Sequence, residues 1–130
     1  PAADGTPAAM ESRGLGYVYK RQVSASPYEL LKNKLIKANI FDYFSYVIGG
    51  DQVERNKPYP DIYNKAISEL QTTKNIVIED SPPGISSGKE SGSFVVAIDR
   101  GIFSKDELNK ADLIVDNLSM DIIETVFNSL

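Results

Sequence analysis

The segment Ile76-Val77-Ile78-Glu79-Asp80-Ser81-Pro82-Pro83-Gly84-Ile85 decides the fold of this chain. Three apolar β-forming residues run directly into two adjacent carboxylates, and Ser81 followed by Pro82 is typical of the start of a helix, with the serine as the N-cap. This order predicts a buried parallel strand that delivers acidic side chains to its C-terminal end. Loops and helix N-termini converge at that end of an open α/β sheet, so ligands bind there.

The adjacent acids Glu79 and Asp80 indicate a cation site. Carboxylate oxygens suit Mg²⁺, which takes one or two protein carboxylates and leaves its other positions to water and substrate phosphate. The alternative is that both acids are solvated loop residues beside a helix N-terminus. The pair alone does not separate these two interpretations.

The composition of the chain narrows the possible chemistry. Its 130 residues are enough for one ordinary domain, and the hydrophobic fraction of 42% and charged fraction of 25% are typical of globular proteins. A net charge of −4 disfavours nucleic acid and anionic membrane surfaces as partners. The sequence contains no Cys and no His, so disulfides, thiolate ligands and imidazole catalysis are excluded. Carboxylates, hydroxyls, Lys and a metal ion are left to carry the chemistry.

Residues 1–22 differ from the rest of the chain. They are rich in Ala, Gly and Pro and show no sustained helical or strand period. Residues 12–22 resemble the conceptual translation of a transposon-end sequencing adapter. We therefore expect residues 1–22 to be a non-native or disordered leader and residues 23–130 to form the domain.

After the leader, the apolar pattern alternates between short strands and helices. Ser26-Pro27-Tyr28-Glu29 has the form of a capping box, with Ser26 as the N-cap. Phe94–Ile98 is a continuous apolar run, as expected for a strand covered on both faces, and Gly92 suits the residue that follows a helix. Asp112–Val115 has the form of an edge strand. This alternation predicts an α/β fold with a parallel sheet flanked by helices.

Polar side chains suited to phosphoryl transfer follow the predicted strands. They are the hydroxyls of Ser24 and Ser26, the ammonium of Lys57 and the carboxylates of Glu79 and Asp80. A hydroxyl, a fixed cation and a metal-binding acid pair supply the positioning and charge neutralisation that this reaction needs. Each feature is weak by itself, because a lone Ser is usually a cap and a lone Lys usually a solvated surface residue.

Together and in this order, the motifs resemble those of the haloacid dehalogenase superfamily of phosphohydrolases, in the branch that includes β-phosphoglucomutase and small phosphatases. Val23–Pro27 resembles the second motif of that family, Asn56–Tyr63 its third and Ile78–Ile85 its fourth. Ala111–Val115 is similar to the last strand of the family. The resemblance runs from Val23 to about Leu130.

The resemblance implies a Rossmann-like core that acts with Mg²⁺, through an aspartyl-phosphate, on a small phosphorylated metabolite in the cytoplasm. Ser24 would donate to the transferred phosphoryl oxygens, Ser26 would contribute to the phosphate pocket, and Lys57 would neutralise their charge. Asp80, with Glu79 directly or through water, would hold Mg²⁺. The choice between phosphatase, mutase and dehalogenase stays open, as does the substrate.

The chain departs from the family at the first motif, which carries the nucleophilic Asp and a second Asp that acts as acid and base. Asp4-Gly5-Thr6 resembles the end of that motif, but no apolar strand precedes it and no Asp stands two positions earlier. The resemblance therefore implies a core that lacks its first central strand and the helical cap domain. We expect such a chain to be inactive by itself.

Two other classes of protein compete with this interpretation. A signalling receiver domain also combines acids, a hydroxyl, a Lys and Mg²⁺ on a parallel sheet, but its acid pair comes first in the chain, whereas here it comes last. A non-catalytic interaction domain on the same α/β scaffold is the second alternative, because fold does not fix function. Binding of a divalent metal would argue against the interaction domain.

Overall fold

A computed structural model describes residues 21–24 and 26–130, and of residues 21–23 it describes the backbone. These residues fall into two compact units that meet in the sequence between Glu54 and Arg55. None of the helices in the described ranges is long and apolar enough to cross a lipid bilayer. The predicted leader lies outside the described residues up to residue 20 and stays a prediction. Arg21 and Gln22, which we assigned to that leader, form part of the first strand.

The first unit contains a two-stranded parallel sheet. Strand β1 (Arg21–Val23) pairs with β2 (Tyr46–Ile48), and helix α1 (Tyr28–Lys37) lies between them in sequence. Two short 3₁₀ turns, Phe41–Tyr43 and Gly50–Gln52, flank β2. Leu31 and Leu35 are the buried residues of α1. They are four residues apart and therefore share one face of the helix.

The start of α1 differs from the predicted capping box. The helix begins at Tyr28 with Pro27 at the N-cap position, and no side chain of that residue caps it. The Tyr28 N–H instead donates to Oδ1 of Asp51 at 2.8 Å, and the Ser26 N–H donates to Oγ of Ser24 at 3.1 Å. The prediction was wrong because a carboxylate 23 residues away in sequence reaches the helix end. A negative charge is favoured there.

The second unit contains a three-stranded parallel sheet. Its strands are β3 (Ile76–Glu79), β4 (Phe94–Ile98) and β5 (Leu113–Val115), in the order β3-β4-β5. The helices of this unit are α2 (Asp61–Leu70), α3 (Pro82–Glu90), α4 (Lys105–Leu108) and α5 (Met120–Ser129). The central strand β4 is buried on both faces, with Val95, Val96 and Ala97 all fully inaccessible. This confirms the prediction for that segment, and the position of β5 confirms the predicted edge strand.

Strand β3 is less buried than its apolar sequence predicts. In the sheet of the second unit it pairs with β4 alone. Val77 is buried, but 39% of Ile78 is exposed. A strand with a neighbour on one side has less cover for its side chains, and successive side chains point to opposite faces. The prediction of a buried strand is therefore correct for Val77 and wrong for Ile78.

Helix α3 begins and ends as the sequence predicts. Ser81 is the N-cap and Pro82 the first helical residue. Gly92 follows the C-cap residue with φ of +83°. That left-handed conformation is costly for residues with a Cβ, so glycine is favoured there.

The side chain of Asp112 links α3 to the sheet. Lys89 Nζ, on α3, donates to its Oδ1 and Oδ2 at 2.7 and 2.9 Å, and the Val95 N–H, on β4, donates to Oδ2 at 2.8 Å. Burial acts to raise the pKa of Asp112, but the hydrogen bonds from Lys89 and Val95 outweigh it, so this pKa lies below its ordinary value. Folding therefore favours the ionised carboxylate.

We predict that Asp112→Asn lowers the free energy of unfolding by about 1–2 kcal/mol near neutral pH, because two charge-assisted interactions are lost. Since the pKa is lower in the folded state, this contribution is present above the unfolded pKa and is lost as the pH falls through the folded pKa. Urea unfolding at about pH 7 and about pH 3 measures both effects.

Asp116→Asn is the matched control, because Asp116 is an exposed acid that follows β5. The free energy of unfolding of Asp116→Asn should differ from that of the unsubstituted chain by no more than about 0.5 kcal/mol at either pH. An equal loss of stability in Asp112→Asn at both pH values would show that the charge of Asp112 is not what stabilises the fold.

Candidate active site

The two acids at the end of β3 lie in different surroundings. Glu79 is the last residue of β3, and 10% of its side chain is exposed. Asp80 follows it, and 52% of its side chain is exposed. Consecutive side chains at a strand end point to opposite sides, which separates residues that are neighbours in sequence. The predicted acid pair is therefore one buried and one open carboxylate.

Lys57 neutralises the buried acid. Its Nζ donates to Oε1 of Glu79 at 2.6 Å, and 11% of the Lys57 side chain is exposed. A buried charge is tolerated when it is paired and hydrogen-bonded. Here Lys57 and Glu79 each supply the opposite charge and the hydrogen bond that the other needs. Lys57 is therefore not the solvated surface residue that the alternative interpretation required.

The loop that carries Lys57 is fixed at both of its ends. Nη2 of Arg55 donates to Oδ1 of Asp61 at 2.9 Å, and this pairing lowers the pKa of Asp61. Ser87, a fully buried residue of α3, donates its hydroxyl to the carbonyl oxygen of Tyr59 at 2.7 Å. The loop is thus attached to α2 through the Arg55 side chain and to α3 through the carbonyl of Tyr59.

Tyr63 is a second partner of Glu79 that the sequence analysis missed. Its hydroxyl donates to the same Oε1 at 2.5 Å, and the Lys57 Nζ lies 5.2 Å from the centre of its ring. Burial, and after it the negative charge of Glu79 and the hydrogen bond, raise the pKa of Tyr63 well above its ordinary value. The hydroxyl is thus held as a donor. Tyr63 lies in the third motif. The sequence alone does not distinguish an aromatic side chain that contacts a site residue from one that packs in the core.

Gly84 leaves room for the Glu79 carboxylate. A Cβ at this position in the first turn of α3 would overlap Oε2 and Cδ of Glu79. The absent side chain lets the carboxylate lie against the backbone of α3.

Asp80 is the carboxylate that remains open at the end of β3. Its Oδ2 lies 3.8 Å from Nη1 of Arg100, whose side chain is 64% exposed, and an exposed pair of this kind is weak. Among the residues that the structure describes, no group of three or more His, Cys, Asp or Glu could hold a metal. An exposed carboxylate such as that of Asp80 is the type of ligand that Mg²⁺ takes from a protein, with water and phosphate in its other positions.

The two predicted serines lie in the first unit. The Ser24 N–H donates to the carbonyl oxygen of Ile48 at 3.2 Å, and Oγ of Ser24 accepts from the Ser26 N–H. The carbonyl oxygen of Ser26 accepts from the Gly50 N–H at 2.8 Å. The structure thus brings together Ser24 and Ser26, and separately Lys57 and Glu79. The roles of both serines at a phosphate stay predictions.

The predicted site residues, from Ser24 to Asp80, all lie in a segment that matches a known family. The model of haloacid dehalogenase-like hydrolases matches residues 23–98. The chain belongs to this family. The matched segment extends from the strand that precedes Ser24 to the end of β4, and it includes Lys57, Glu79 and Asp80.

Curated relatives and solved structures agree with this assignment. The chain is 42% identical over 57 residues to the bifunctional riboflavin kinase/FMN phosphatase of Arabidopsis thaliana, a match that covers 42% of the chain and 15% of the relative. It is 29% identical over 99 residues to the validoxylamine A 7′-phosphate phosphatase of Streptomyces hygroscopicus subsp. limoneus, covering 75% of the chain and 46% of the relative. The chain thus spans less than half the length of these curated relatives.

The crystal structure of β-phosphoglucomutase from Clostridium difficile superposes with a TM-score of 0.76 at 25% sequence identity. The superposition covers 94% of this chain and 53% of that one. The α/β architecture with parallel strands and flanking helices is therefore that of the family.

We predict that Gly84→Ala destabilises the second unit by about 1–3 kcal/mol, because the new methyl group displaces the buried carboxylate of Glu79. In a Glu79→Ala background the same substitution should be neutral or stabilising, since Ala has the higher helix propensity. Urea unfolding of the two single variants and the double variant gives the coupling energy. Additive effects would show that Gly84 and Glu79 do not restrict each other.

Proposed function

We propose that this chain is part of a Mg²⁺-dependent phosphoryl-transfer enzyme, a phosphatase or phosphosugar mutase that acts through an aspartyl-phosphate on a small phosphorylated metabolite in the cytoplasm. The observation that carries the proposal is the buried pair of Lys57 and Glu79 at the end of β3, with the open carboxylate of Asp80 beside it in sequence. Family membership supports the proposal, and the names of the three proteins compared above each specify a phosphate ester or a phosphosugar.

Lys57 is the residue to which we assign charge neutralisation at the transferred phosphoryl group. Its ammonium has three N–H donors, and Glu79 accepts one of them at 2.6 Å. The remaining donors are available to phosphoryl oxygens. Because Glu79 already holds the ammonium, little reorganisation is needed when charge develops, and such preorganised charge is an effective form of catalysis.

Asp80 is the residue to which we assign Mg²⁺, with Glu79 acting directly or through water. When bound, the ion would neutralise charge on the phosphoryl oxygens and orient the group. Oε1 of Glu79 already accepts from Lys57 and Tyr63, and Oε2 lies against the backbone at Gly84. We further propose that the hydroxyl of Ser24 donates to the phosphoryl oxygens and that Ser26 contributes to the phosphate pocket.

None of the residues assigned above is the nucleophile. The sequence contains no Asp-x-Asp pair on an apolar strand, and Asp4 does not meet that description. We therefore propose that the nucleophilic aspartate is not among these 130 residues and that the chain alone binds ligands without turning them over.

We predict that the chain binds Mg²⁺ in isothermal titration calorimetry and that Asp80→Asn weakens this affinity by about tenfold or more, because it removes a charged ligand. Asp116→Asn, a substitution of another exposed acid, should leave the affinity unchanged. Wild-type chain without Mg²⁺ affinity would argue for a non-catalytic interaction domain, and an affinity equal in Asp80→Asn would remove Asp80 from the metal site.

We also predict that the chain with Mg²⁺ hydrolyses p-nitrophenyl phosphate no faster than buffer does, but binds inorganic phosphate. Lys57→Met should weaken phosphate binding by about tenfold, the loss expected for a charge-assisted hydrogen bond. Turnover that disappears in Lys57→Met would place the nucleophile within the chain after all. Phosphate affinity that does not change in this variant would remove Lys57 from the site.

A further inference from the structure

Tyr63 joins the Lys57–Glu79 ion pair as a third member, although an ion pair needs only two. The Tyr63 hydroxyl and the Lys57 ammonium both donate to Oε1 of Glu79, at 2.5 and 2.6 Å. All three side chains are almost fully buried, with 8% of Tyr63 exposed. Both donors contact the same oxygen, and the whole carboxylate lies against the backbone at Gly84, an arrangement that a single ion pair does not require.

A carboxylate paired with one cation is not fixed in rotation. The last torsion of a Glu side chain has a broad distribution, and either oxygen can serve as the acceptor. The Tyr63 hydroxyl removes this freedom on one side, and the backbone at Gly84 limits it on the other. Lys57 consequently donates to one acceptor atom, Oε1 of Glu79, whose position is fixed.

We propose that Tyr63 is a positioning residue for Lys57, which acts through Glu79: its hydroxyl fixes the carboxylate, and the fixed carboxylate holds the ammonium where a phosphoryl group would bind. This inference rests on the function proposed above for Lys57. It assigns to Tyr63 no contact with substrate. The hydroxyl, rather than the ring, performs this role.

Tyr63→Phe isolates the hydroxyl from the ring. The substitution keeps the buried aromatic group and its contact with the Lys57 ammonium 5.2 Å away, and it removes the donor to Glu79. Tyr59→Phe is the matched control, because Tyr59 lies in the same motif with half of its surface exposed and its ring against Arg55. Both variants lose one hydroxyl, but only one of those hydroxyls contacts Glu79.

The experiment follows the Lys57 ammonium by NMR in the full chain labelled with ¹⁵N-lysine, with the signal assigned by its loss in Lys57→Met. In Tyr63→Phe we expect the ammonium protons to exchange with water about tenfold faster, and the affinity for inorganic phosphate with Mg²⁺ to fall by a similar factor. Tyr59→Phe should change neither quantity. Circular dichroism and thermal unfolding check that the variants remain folded.

The two readouts separate this inference from the function on which it rests. A Lys57 signal unchanged in folded Tyr63→Phe overturns the positioning role, whatever the phosphate affinity. A changed signal in a chain that binds no phosphate supports the positioning role and contradicts the proposed function.

If Tyr63→Phe does not fold, 3-fluorotyrosine at residue 63 retains the hydroxyl and alters its strength as a donor. It must then move the Lys57 signal, whereas 3-fluorotyrosine at residue 59 must not. A Lys57 signal that stays in place with fluorotyrosine at residue 63 overturns the inference.

Discussion

The buried negative charge of Glu79 is the constraint on which the second unit depends. A carboxylate with 10% of its side chain exposed has lost most of its hydration, and an unpaired charge in that position would cost several kcal/mol. The ammonium of Lys57 and the hydroxyl of Tyr63 offset this cost, and Gly84 leaves the space that the carboxylate occupies. The loop before α2, the helix α2 itself and the first turn of α3 are therefore restricted by one side chain at the end of β3.

Features with a local cause could be predicted from the sequence. Pro82 marks the start of α3 because the restricted φ of proline suits the first helical position, although the Ser81 side chain makes no capping hydrogen bond. Gly92 marks its end because a left-handed residue is needed directly after the helix. The apolar run of β4 identifies a central strand because full burial excludes polar residues from both faces.

Features that depend on distant residues could not be predicted. Asp51 caps α1 across 23 positions, and the hydroxyl of Tyr63 reaches Glu79 across 16. In each case the local pattern permits another reading, a serine cap in the first and an aromatic core residue in the second. The exposure of Ile78 belongs to the same class, because the number of neighbours of β3 is a property of the sheet and not of its own sequence.

The motif at the end of β3 shows how backbone geometry can divide adjacent residues between two tasks. An acid pair in sequence suggests two negative charges directed at one cation, but the alternation of side chains places Glu79 inside and Asp80 outside. Lys57 offsets the charge of Glu79, so the pair adds little net charge that would attract a cation. Asp80 keeps its charge, and Arg100, 3.8 Å away and well solvated, offsets it weakly. For the Mg²⁺ site proposed above, one carboxylate therefore supplies most of the attraction, so the ion should bind more tightly together with an anionic phosphate than alone.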